Sequence, residues 1–157
     1  MDDFGYACAV ALAAVFVRAA AAKVARPAQT AASFAALGVP ASAATARAVP
    51  FAELVVAAAL LAAPRAGGVG ASVLLVSFTA VLVRAVRGGS EAPCNCFGAA
   101  RADPVSWSDV ARNVMLAGLA VLALLASRPV VPSPIASLAC AGLFAGGYAA
   151  FAALRAE

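Results

Sequence analysis

Histidine is absent from this chain of 157 residues, and charge is scarce: Asp, Glu, Lys and Arg together make up 11%. Without imidazole, the usual closed zinc or copper site has too few ligands. Such sites take three or four soft or imidazole donors, and of the four cysteines two, Cys8 and Cys140, fall inside apolar segments. The scarcity of charge excludes a water-soluble globule. Hydrophobic residues reach 65%, against about half in an ordinary soluble domain, and a globule of this size leaves roughly 30% of its chain surface exposed. Lipid is therefore the expected solvent.

A clustered basic patch is also lacking. The formal net charge is +4, but the basic residues are scattered at the ends of apolar segments, where they read as membrane-boundary anchors. Nucleic acid is not an expected partner. Nor does the N-terminus carry a basic n-region: it opens on Asp2 and Asp3, and its apolar stretch continues towards Arg18. The first segment is expected to stay in the mature protein.

What the chain does contain is long apolar runs. A bilayer core about 30 Å thick needs roughly 20 helical residues at ~1.5 Å each. Five stretches qualify: Phe4 to Val24, Thr45 to Ala63, Val69 to Val86, Ser108 to Ser127 and Ile135 to Leu154. Helix stoppers separate them, namely Pro27, Gly38 and Pro40, then Pro64, Gly67 and Gly68, then Gly88, Gly89 and Pro93, then Pro129, Pro132 and Pro134. Ser108 with Asp109 forms a plausible N-cap for the fourth. Gln29 to Leu37 is too short to span and is expected to lie at the interface, and Pro50 should kink the second helix near its start. Tyr6 and Trp107 read as interfacial aromatics. The expected fold is all-α, a single polytopic bundle of four to five transmembrane helices over residues 1–157, multi-pass in the cell membrane.

With five spans, Arg18, Lys23, Arg26, Arg47, Arg84, Arg87, Arg101, Arg112 and Arg155 share one face, while Arg65 and Arg128 have the other. The positive-inside rule then puts the connection between the third and fourth spans in the cytoplasm. That connection carries the most distinctive chemistry of the chain, Pro93-Cys94-Asn95-Cys96-Phe97-Gly98. Two thiols one residue apart can close a small-ring disulfide, which is strained and easily reduced. Exchange is favoured over a static role. Two-coordinate Cu(I) or Hg(II) binding is the competing chemistry, and a non-catalytic assembly role is the third. No motif calls for a cofactor or for a closed metal centre.

Ionisable groups inside membrane spans are expensive and by default functional. Arg18, Glu53, Arg84 and Arg112, with Asn113, fall one to two turns from the Cys-x-Cys side. Glu53 is the one acid well inside a span, so it is expected to pair with one of these arginines, which would also lower the pKa of a nearby thiol. Lys23 and Arg87 are expected to snorkel to the interface. Cys8 and Cys140 lie early in the first and fifth spans, both entering from the face opposite the Cys-x-Cys loop. They can meet at similar depth as a second thiol pair, the alternative being two small apolar side chains.

The chain resembles the methylamine-utilisation MauE family, within the DoxX-like group of small membrane proteins. The resemblance rests on Arg18 and Lys23 after the first span, Pro50 and Glu53, Arg87-Gly88 ahead of Cys94-Asn95-Cys96-Phe97-Gly98, and Trp107 followed by Arg112-Asn113. It implies a thiol–disulfide oxidoreductase or disulfide-maturation factor acting through Cys94 and Cys96 with a thioredoxin-like partner, membrane-anchored or soluble, on extracytoplasmic proteins. That role puts the loop outside the cytoplasm, opposite to the side favoured by the charge distribution.

Overall fold

The computed structural model describes residues 2–90 and 104–154, with backbone only at 144 and 147–154. Six helices account for almost all of them: α1 (Asp2–Ala25), α2 (Pro27–Ala36), α3 (Ser42–Ala62), α4 (Pro64–Arg87), α5 (Trp107–Ala123) and α6 (Pro134–Leu154). Their starts follow local chemistry. Asp2 and Asp3 occupy the first turn of α1 and Lys23 its last, each charge opposing the helix dipole. Prolines open α2 and α4, where a missing N–H removes no helical bond. The short interfacial helix thus appears as α2, whose Thr30, Ser33 and Phe34 are buried. Pro50 is also buried, and α3 stays helical through it.

Two boundaries differ from the sequence expectation. The α5 N-cap is Ser106 rather than Ser108, because Asp109 at the third helical position accepts a hydrogen bond from the Ser106 backbone N–H at 3.0 Å, closing a capping box. Gly67 and Gly68 do not end a helix. They lie within α4, and the break from α3 is the single residue Ala63. The physical reason is close approach: a Cβ at Gly67 would collide with the backbone of Ala59 and Leu60 in α3, so glycine is needed for packing rather than for a turn.

Helices α1, α3, α4 and α5 form a ring in which each packs on two neighbours, α1 and α4 against both α3 and α5. Pairings along the helices fix their directions. The Tyr6 hydroxyl donates to the Leu61 carbonyl at 3.0 Å, and Lys23 meets Glu53, so α1 and α3 are antiparallel. Gly5 of α1 lies against Leu122 and Ala126, so α1 also runs opposite to α5. Helix α6 packs outside the ring on α1 and α5, parallel to α1, with Asp3 accepting from the Ser133 N–H at 2.8 Å and its hydroxyl at 2.7 Å. At the same end, Asp2 accepts from the Ser127 N–H at 2.6 Å and Arg65 donates to the Ser127 hydroxyl at 2.9 Å.

Leu12, Phe16, Leu60, Leu75, Leu116 and Leu119 fill the centre, with alanines between them that let the helices approach closely. The outer faces are apolar as well: Phe51 is 68% exposed, Val76 62% and Leu138 73%. An exterior of this kind suits lipid. Helices α1, α3 and α4 are each long and apolar enough to cross a membrane, and the protein is an integral membrane protein.

Alanine at Gly67 or at Gly5, where a Cβ would lie 2.8 Å from the Ala126 nitrogen, should destabilise the bundle by about 1–3 kcal/mol, the range for forcing volume into a packed interior. Gly118→Ala is the control, since a Cβ there meets nothing within 4 Å. Thermal unfolding of the three variants in one detergent reads the difference, and equal melting points would refute the packing argument.

Candidate functional site

One buried ion pair organises the interior. Lys23 Nζ lies 2.7 Å from Glu53 Oε1, and both side chains are only 1% exposed. Lys23 comes from the last turn of α1 and Glu53 from the middle of α3. The ammonium also stands 6.0 Å from the centroid of the Phe78 ring on α4, within reach of a cation–π attraction. Across the ring, Asn113 of α5 is fully buried and its Nδ2 donates to the Leu75 carbonyl at 2.8 Å and to Thr79 Oγ1 at 2.7 Å, both on α4. Phe78 and Thr79 being adjacent, the two contacts share one level. All four ring helices are joined there by polar contacts. That level lies about 13 Å from the C-terminal end of α4, at ~1.5 Å per residue.

The partner of Glu53 is therefore Lys23, not an arginine, and Lys23 does not snorkel. Packing decided this: Lys23 ends α1 on its inward face, while Arg18 and Arg84 are exposed on the outside of theirs. Arg112 faces its own helix start, 3.1 Å from Asp109 one turn earlier. Of the five residues expected to form a polar shell, Glu53 and Asn113 are the two in the buried layer, and Lys23 and Thr79 complete it. A lysine seventeen residues after Tyr6 on a helix gives no sign in sequence of which way it faces. Glu53 Oε2 and Asn113 Oδ1 are buried without a hydrogen-bond partner among the described residues, two acceptors held in the interior.

Cys8 and Cys140 come together. Cys8 is 0% and Cys140 1% exposed, and the two free thiols interact directly across the α1–α6 contact. Each lies six residues into its helix, about 9 Å by the helical rise, somewhat deeper than one turn. Cys94 and Cys96 lie outside the described residues. Helix α4 ends at Arg87 and α5 starts at Trp107, at the end of the bundle opposite the Cys8–Cys140 contact.

Comparison with known proteins adds the family. A profile described as methylamine utilisation protein MauE matches residues 1–126. The chain belongs to the MauE family. It is 36% identical over 104 residues to the methylamine utilization protein MauE of Paracoccus denitrificans, a match covering 64% of this chain and 55% of that protein. The chain thus aligns with about half the length of this curated MauE relative. No solved structure matches. Helices α1 to α5, with Lys23, Glu53 and Asn113, fall within the family match; α6 and Cys140 follow it.

Lys23→Met strands a buried carboxylate and should destabilise the protein by about 3–5 kcal/mol, the usual effect of removing one member of a buried pair. Adding Glu53→Gln should restore a large part of the loss, because no charge then remains uncompensated. Unfolding of the single and double variants in mixed micelles measures both steps; a single variant as stable as the parent would contradict a buried pair.

Proposed function

We propose that this MauE-family protein crosses the membrane five times and exchanges disulfides with a thioredoxin-like protein through Cys94 and Cys96. Helices α1, α3 and α4 supply three spans. Helix α5 has 17 residues and α6 has 21, both within the roughly 17–25 that cross a bilayer. The observation that carries the exchange reading is the position of the Cys-x-Cys pair in the chain. It falls in the connection between α4 and α5, the two helices that Asn113 ties together, at the bundle end towards which Lys23 lies in α1.

The chemistry is a two-electron exchange. A thiolate of a reduced partner attacks one sulfur of the Cys94–Cys96 disulfide, forming a mixed disulfide and releasing the other cysteine as thiolate. The partner's second thiol, losing its proton, then resolves the mixed disulfide; the partner leaves oxidised and Cys94 and Cys96 stay reduced. The strain of a Cys-x-Cys ring favours this direction. A rigid, internally paired bundle suits such a role, since it holds the exchanging segment at a fixed height while the partner docks.

Replacing the resolving cysteine should arrest the reaction at the mixed disulfide. In cells containing all native proteins, either Cys94→Ser or Cys96→Ser should accumulate a reductant-sensitive adduct with a thioredoxin-like protein, identifiable by mass spectrometry. If neither variant captures one, the exchange reading fails.

A further inference from the structure

Cys8 and Cys140 form a second site, separate from Cys94 and Cys96. Both thiols are sealed from water in the main apolar cluster, alongside Leu12, Leu119 and Ala136, and they interact directly. They come from helices that run parallel, at equal depth, so no sliding of α6 along α1 is needed to align the sulfurs. Helix α6 touches only α1 and α5 and has no place in the central ring. Its outer positions are open, Ile135 being 80% exposed and Leu138 73%. Cys140 lies beyond the residues that match the family, so the pair belongs to this chain's own sixth helix.

We infer that Cys8 and Cys140 are a redox-active dithiol that closes to a disulfide, fixing α6 to α1, with a lipid-soluble quinone as the oxidant. Two S–H bonds break and one S–S bond forms. The two electrons and two protons go to the quinone, which leaves as the quinol. The class of oxidant follows from access. A protein disulfide or a charged reagent cannot reach thiols that are 0% and 1% exposed, whereas an apolar two-electron acceptor arrives through the lipid. One turn beyond Cys140, Leu143 faces Leu119 and Leu122 across an apolar groove between α5 and α6, so the path from the bilayer to the pair crosses no polar group.

The sequence supplies its own assay. The methionines are Met1 and Met115, so cyanogen bromide separates residues 2–115, with Cys8, Cys94 and Cys96, from residues 116–157, in which Cys140 is the one cysteine. Membranes holding the full chain are reduced, freed of reductant, treated with decylubiquinone under argon, and then cleaved. The two fragments should run as one linked species without reductant and separate with it. The link should vanish in Cys8→Ala and persist in Cys94→Ser/Cys96→Ser, which makes the outcome independent of the exchange reading above. Fragments that separate without reductant after quinone treatment overturn the proposal, as does a link that survives Cys8→Ala. Membrane-impermeant ferricyanide should leave the fragments at least tenfold less linked than the quinone; equal linking by both would overturn the lipid-borne oxidant.

Discussion

Everything in this bundle is arranged around a lysine and a glutamate that have no water. Moving one charge into a medium of low dielectric is prohibitive, and even after relaxation the penalty is several kcal/mol per ion. The pair is tolerable only because Nζ and Oε1 meet at 2.7 Å and the ammonium also faces an aromatic ring. Such a contact has little positional freedom. It sets the register of α1 on α3 and turns the end of α1 towards α4, in a chain where apolar packing alone would permit many nearly equivalent registers. Asn113 does the same for α5 on α4 through two donated hydrogen bonds.

The remainder of the interior is made of small residues. Helices in lipid gain nothing from burying leucine against leucine, so close contact through glycine and alanine supplies the attraction. Gly67 and Gly5 are the tightest points, each taking the backbone of a neighbouring helix where a methyl group would sit. At the end where α1 begins, the bundle is closed by short polar contacts, Asp2 with Ser127, Asp3 with Ser133 and Arg65 with Ser127. These satisfy backbone donors in the α5–α6 connection that the helices leave open.

Family membership and the thiols give this scaffold its chemical direction. The polar layer and the connection between α4 and α5 share one half of the bundle, while the Cys8–Cys140 contact occupies the other. Two sulfur pairs separated along one apolar body are suited to different reagents, one to a protein partner and the other to an oxidant dissolved in lipid. The family match ends before α6, so the half of the molecule holding Cys140 is where this chain carries chemistry of its own.

Composition alone determined that the chain folds in lipid as helices, because no aqueous fold hides this much apolar surface, and prolines with apolar run lengths marked most of the helix boundaries. Length and hydropathy carry the three longest spans, since a helix must satisfy its own backbone inside a bilayer. The special status of Glu53 was equally legible, as an acid inside a span needs a partner. The partner itself was not. Arg18, Arg84 and Lys23 are all cationic and all near the same end, and only the rotation of each helix, fixed by packing across the ring, turned Lys23 inward and the arginines outward. The same holds for Gly67, whose role is set by a backbone that approaches from another helix, and for Cys8 and Cys140, 132 positions apart in the chain. Depth in the membrane follows from counting residues along one helix; facing a neighbour depends on the angular placement of two, which tertiary packing decides.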